Sequence, residues 1–99
     1  MELARSSSII NSMEPIVVSF FEEQLLPNYQ LKCNCDKCTT DIIVLTLNHL
    51  PAKYTTTQAG QAYIKALYMN PQMQSDILQE LTRSIQIVEA KPQHWIADR

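Results

Sequence analysis

Cys33-Asn34-Cys35-Asp36-Lys37-Cys38-Thr39-Thr40-Asp41-Ile42-Ile43 gathers all three cysteines of a 99-residue chain into six positions, directly ahead of a helical pattern. The C-x-C-x-x-C spacing asks for a cation. Thiolate is the form that binds zinc, and three thiolates on a turn beside a helix N-terminus have their ionised state favoured by both the metal and the helix dipole. Three thiolates leave one tetrahedral position, for which His94, His49, Asp36, Asp41, a partner chain and water are the candidates. Reduced thiols in a loop are the plain alternative, a disulfide would leave one thiol over, and an iron–sulfur cluster usually takes four cysteines. With the metal near Cys38, His49 lies eleven residues along the following helix, about 16 Å away, and cannot close the site within one chain.

Outward from this stretch, Thr39 or Thr40 is a cap for the second helix, with Asp41 suited to the dipole. Ile42, Ile43, Val44, Leu45, Leu47 and Leu50 leave that helix apolar nearly all round, so it is expected to be the central, most buried element. Pro51 ends it. The segment to Thr57 reads as a connection, because a lone strand there has no partner. On the other side, Asn11 with Glu14 reads as a capping-box-like start of the first helix. Met13, Ile16, Val17, Phe20, Phe21 and Leu25 recur at helical spacing, and Pro27 stops the run. A third helix is expected over about Gln58 to Met69, with Ala59, Ala62, Tyr63, Ala66 and Leu67 on one side and Gly60 permitting a close approach. Asn70-Pro71 opens a fourth, in which Met73, Ile77, Leu78, Leu81, Ile85 and Val88 hold the period to about Ala90. The fold class is therefore all-α: a four-helix array with a Cys-rich zinc loop between helices 1 and 2. Residues 1–8 read as a flexible terminus and 9–99 as a single domain.

So small a domain profits from a metal staple or a second copy. The nearly all-apolar second helix, with Phe20, Phe21 and Trp95, offers more hydrophobic surface than one such bundle covers, and a homodimer is expected. Trp95 is either an anchor against the core or a dimer contact. Eight Lys and Arg against ten Asp and Glu, with no basic block, disfavour duplex nucleic acid. A small anionic ligand held by a few cations and helix N-termini is compatible with the same count. No apolar run is long enough for a membrane span and no signal-peptide core is visible, so the expected location is the cytoplasm. No Ser–His–Asp order, paired carboxylates or phosphate-cradling glycine loop points to an enzyme; a hydrolytic zinc would need fewer protein ligands than proposed here.

Asn11-x-Met13-Glu14, the Cys33–Cys38 loop, Asp41-Ile42, Leu45-x-Leu47-Asn48-x-Leu50-Pro51-x-x-Tyr54 and a late proline followed by a metal-capable side chain resemble the late competence development (ComFB-like) family over residues 9 to about 95. The resemblance implies a small all-helical bacterial homodimer whose cysteine-bearing members bind zinc. It also implies a link to the cyclic dinucleotides cyclic di-GMP and cyclic di-AMP and to control of competence, motility or cell size. It puts a metal donor near the C-terminus, which favours His94 with Cys33, Cys35 and Cys38. Many members carry a basic residue where this chain has His49, and often Lys where it has Ala59.

The segment from Asn48 to Gly60 is the expected ligand region, through Asn48, His49, Lys53, Tyr54, Thr56, Thr57, Gln58 and Gly60. It combines an amide, a cation, an aromatic ring that stacks on a base, and a helix N-terminus that receives phosphate. Each has a structural alternative: Asn48 tying down the 51–54 loop, Tyr54 a core ring, and the threonines capping the helix. Two functions follow, a cyclic dinucleotide receptor stapled by zinc and acting on a downstream protein, or a zinc-stabilised dimeric interaction module with no nucleotide.

Overall fold

The last helix is the centre of the molecule. In the structure, a computed structural model that describes residues 9–91, Pro71–Ala90 forms one unbroken helix (α4) with Ile77, Leu81, Ser84, Ile85 and Val88 buried along one stripe. Pro71 sits in the first turn, where its missing N–H costs nothing, and Asn70 Oδ1 accepts from Gln72 N at 2.8 Å. Leu78, expected in the core, lies off the stripe at 43% exposed.

The first helix, α1 (Met13–Phe20), runs on through a wide i→i+5 turn at Phe21–Leu25 and a tight turn at Leu26–Asn28, before the chain becomes extended at Tyr29. Met13, Val17, Phe21 and Leu25 are its buried residues. An i, i+4 series drifts about 40° per step around a regular helix, and the wide turn underwinds the chain so that Phe21 and Leu25 stay on the core side. The start of α1 departs from the expected capping box: Glu14 is exposed, and Asn11 Oδ1 accepts from Met13 N at 3.2 Å.

The same Asn11 oxygen accepts from Lys53 N at 2.9 Å, and Ser12 N donates to Lys53 O at 2.7 Å. These bonds reveal what the connection after Pro51 really is. Tyr54–Thr55 (β2) pairs antiparallel with Ile10–Asn11 (β1), with Ile10 opposite Thr55 and Asn11 opposite Tyr54. The expected loop thus contains a strand after all; its partner is two residues long and sits where no alternation could announce it.

The second helix, α2, spans Asp36–Asn48 and starts four residues earlier than a Thr39 cap requires. Its cap is Cys35, whose Sγ accepts from Cys38 N at 3.4 Å, while Thr39 Oγ1 reaches back to Cys35 O at 3.1 Å. Nor is α2 buried all round. Only Cys38, Ile42 and Thr46 are buried; Ile43, Leu45 and Leu47 are half-covered and Val44 is 47% exposed. Thr46 Oγ1 donates to Ile42 O at 2.8 Å and lies 2.9 Å from Ser84 Oγ, a buried polar link between α2 and α4.

The third helix, α3 (Gln58–Leu67), has the side that gathers most of its alanines turned to solvent. Gly60, Gln61 and Ile64 are half-covered and Tyr68, just beyond, is buried, whereas Ala59, Ala62, Tyr63, Ala66 and Leu67 all face away from the core. Gly60 is where α3 meets β2: an added Cβ would lie 3.2 Å from Thr55 Cβ and Cγ2. Among the described residues no helix is long and apolar enough to cross a membrane.

Candidate metal centre

The three thiols converge. Cys33 is in the loop, Cys35 caps α2 and Cys38 is in its first turn, and their sulfurs all lie within 4.8 Å of one another. A tetrahedral zinc with Zn–S bonds of about 2.3 Å separates its sulfurs by about 3.8 Å, so the arrangement fits such an ion with small adjustments. Cys33 and Cys35 are half-buried and Cys38 is buried. The N–H of Cys38, pointed at the Cys35 sulfur, holds that thiol below its ordinary range, with help from Cys33. Burial, reinforced by the two neighbouring thiols, pushes Cys38 up to about 12. Crowding of this kind resists three thiolates in the absence of a cation and is relieved by one.

The loop is fixed at its start from α4, since Lys32 N donates to Glu89 Oε2 at 2.8 Å. Sequence reasoning had no sign of this pair, which is 57 positions apart. Among the described residues no fourth donor joins the cluster. Asp41 is held by Lys37 at 2.9 Å, Asp36 is exposed, and His49 Nδ1 lies 2.8 Å from Leu45 O at the far end of α2. His94 and Trp95 lie outside the described residues.

The eight residues expected to meet a ligand fall in one continuous segment but differ in setting. Asn48 and His49 are exposed at the end of α2, so Asn48 is not the buried amide expected, and it is Asn11 that ties the 51–54 segment down. Tyr54 is 67% exposed, which excludes a core ring. Lys53 is half-buried, while Thr56 and Gln58 are exposed. Thr57 Oγ1 accepts from Gly60 N at 3.0 Å, so one donor of the α3 N-terminus is already taken. Beside this segment a cleft of about 360 Å³ opens between α1 and α3, lined by Ser12, Ile16, Phe20, Gln61, Lys65 and Tyr68 among others. Ser12 Oγ and Thr55 Oγ1, 2.6 Å apart, join its floor to β2.

Comparison with known proteins agrees with this architecture. The competence protein ComFB of Bacillus subtilis strain 168 is 29% identical over 84 residues, covering 85% of each chain. The solved structure of the late competence protein ComFB from Bacillus subtilis superposes with a TM-score of 0.79 at 26% identity, over 87% of this chain and 93% of that one. The model of the late competence development protein ComFB family matches residues 10–92, and the chain, with its four helices and its cysteine cluster between the first two, belongs to that family.

Proposed function

We propose that this chain is a competence-type regulatory protein without catalytic activity: a cytoplasmic homodimer, stapled by a structural zinc, that takes a cyclic dinucleotide on the face from Asn48 to Gly60. The observation that carries the staple is the convergence of three sulfurs within 4.8 Å in a chain with so small a core. Cys33, Cys35 and Cys38 would supply three donors and His94 the fourth. In support, the Lys32–Glu89 bond keeps the end of α4 beside the loop, and His94 follows Glu89 by five residues, a reach of about 17 Å. A closed four-donor zinc has no open position for substrate, which is why no reaction is assigned.

The ligand reading draws on the exposed Tyr54 ring, the Lys53 ammonium and the α3 N-terminus, with Lys65 on the neighbouring cleft. Two measurements test it. Elemental analysis of the purified protein is expected to find close to one zinc per chain; a metal-free native protein with three titratable thiols would overturn the staple. Calorimetric titration with cyclic di-GMP and cyclic di-AMP is expected to show binding that weakens when Lys53 and Lys65 are both replaced by Ala. If neither dinucleotide binds the wild type, or the double variant binds equally well, the ligand site is wrong and a purely protein-binding role replaces it.

A further inference from the structure

Cys35-Asp36-Lys37-Cys38 places two thiols on one helix start, Cys35 at the cap of α2 and Cys38 three positions on in its first turn. Three residues of helix advance about 4.5 Å and come most of the way round, which leaves the two Cα atoms about 5 Å apart, inside the roughly 4.4–6.8 Å that a disulfide spans. Their sulfurs already lie within 4.8 Å of each other. The Cys35 sulfur is turned over that same first turn, where it accepts from Cys38 N at 3.4 Å. Cys33 precedes the helix and has no such fixed spacing to either. Access to the two is unequal. An open hollow of about 920 Å³, lined by the chain from Leu26 to Cys35, reaches Cys33 and Cys35 and stops short of Cys38. Cys38 is 2% exposed. One sulfur of the pair therefore meets solutes, and the other stands behind it.

We propose that Cys35 and Cys38 are an oxidant-sensing pair, joined into a disulfide by a hydroperoxide that enters through this hollow. The Cys35 sulfur attacks one peroxide oxygen and the O–O bond breaks. The departing oxygen leaves as an alcohol, or as water from hydrogen peroxide, carrying the thiol's proton, and Cys35 holds a sulfenic acid. The Cys38 sulfur then attacks the Cys35 sulfur, the S–O bond breaks, and hydroxide leaves as water with the Cys38 proton. Two electrons pass from the sulfurs to the peroxide: two thiols and one hydroperoxide give one disulfide, one alcohol and one water. A dithiol reverses the reaction by exchange. In the cytoplasmic setting proposed above lasting disulfides are rare, and transient ones serve to sense oxidants. Zinc is held by thiolates, so the oxidised pair leaves Cys33 as the one sulfur donor of the cluster and the staple opens. That last consequence rests on the zinc reading; the disulfide itself does not.

The test takes the full chain, stripped of metal by a chelator, through stoichiometric hydrogen peroxide, alkylation and tryptic mapping. Cleavage after Lys32, Lys37 and Lys53 separates peptide 33–37 from peptide 38–53, so a Cys35–Cys38 bond is expected to link them and to leave one alkylated thiol in place of three. Cys33→Ser is expected to give the same link, and Cys35→Ser to slow linkage roughly tenfold or more. A bond confined to peptide 33–37, sulfinic or sulfonic products with no link, or linkage at the wild-type rate in Cys35→Ser overturns the pair. Fragmentation of the linked wild-type peptides, which places the bond at Cys33 or at Cys35, decides the matter should a variant misfold. Zinc added before the peroxide is expected to slow linkage and to be released to a colorimetric chelator in step with it. A stripped chain that links but takes up no zinc overturns the staple and leaves the pair standing; one that takes up zinc but never links overturns the pair and leaves the staple.

Discussion

Replacing Thr46 by Val separates the polar link between α2 and α4 from the packing around it. The Thr46 side chain is fully buried, Ser84 is 2% exposed, and their hydroxyl oxygens are 2.9 Å apart. Valine keeps the shape and removes the oxygen. The substitution loses a buried hydrogen bond worth about 1 kcal/mol net and strands the Ser84 hydroxyl at a further cost of about 1–2 kcal/mol. A total of about 2–3 kcal/mol in a domain of this size lowers Tm by on the order of 10–20 °C. Ser84→Ala alone is milder, about 1 kcal/mol, since Thr46 keeps the Ile42 carbonyl at 2.8 Å. In Thr46→Val/Ser84→Ala no hydroxyl is stranded, so equilibrium urea denaturation is expected to show a loss roughly 2 kcal/mol smaller than the sum of the single losses. Additive losses would refute the reasoning, because they would mean that the two hydroxyls do not depend on each other.

Gly60→Ala gains helix propensity of about 0.5–1 kcal/mol but presses a methyl to 3.2 Å from Thr55. It is therefore expected to be near neutral, within about 0.5 kcal/mol of wild type by thermal unfolding, and to stay so in a Thr55→Ser background, where the contact with the Cβ of residue 55 remains. Tyr68 is buried, and that burial, with the charge of Asp76 as a lesser cause, holds its phenol above the ordinary value of 10.0. The native state then keeps the proton that the unfolded chain releases, so stability is full below pH 10 and falls as pH climbs past it; Tyr68→Phe is expected to flatten that decline in pH-dependent denaturation.

Helix existence was legible because strong periods survive tertiary context, as in Met13 and Val17 of α1 with Leu25 of the turn that continues it, or Ile77, Leu81 and Val88 of α4. Direction was not. In α3 an arc of Ala59, Ala62, Tyr63, Ala66 and Leu67 competes with one of Gly60, Ile64 and Tyr68, and a period reports that arcs exist without saying which faces inward. In α2 the apolar excess blurred the stripe that Cys38, Ile42 and Thr46 trace, and composition alone overstated its burial. The cysteine cluster was visible because its members are local in sequence. Its support was not visible, since the Lys32–Glu89 bond and the bridge from Asn11 to Lys53 join residues whose side chains satisfy a distant backbone group, and no spacing rule marks such pairs.

The Cys35 sulfur has one further implication, for the order of assembly. A helix start leaves several N–H groups without partners, and here a thiol sulfur takes one of them at 3.4 Å. Winding the first turn of α2 therefore orients Cys35 and Cys38 toward each other before any ion arrives, and Asp36 and Thr39 stabilise that turn by means that need no metal. Ligand gathering, which in a zinc finger is coupled to folding of the entire unit, would on the proposed staple be divided: local helix geometry brings Cys35 and Cys38 together, and the loop, tied to α4 through Lys32 and Glu89, adds Cys33. If the proposed zinc is held there, chelation is expected to leave the second helix in place and to release the loop from Tyr29 to Asn34 first.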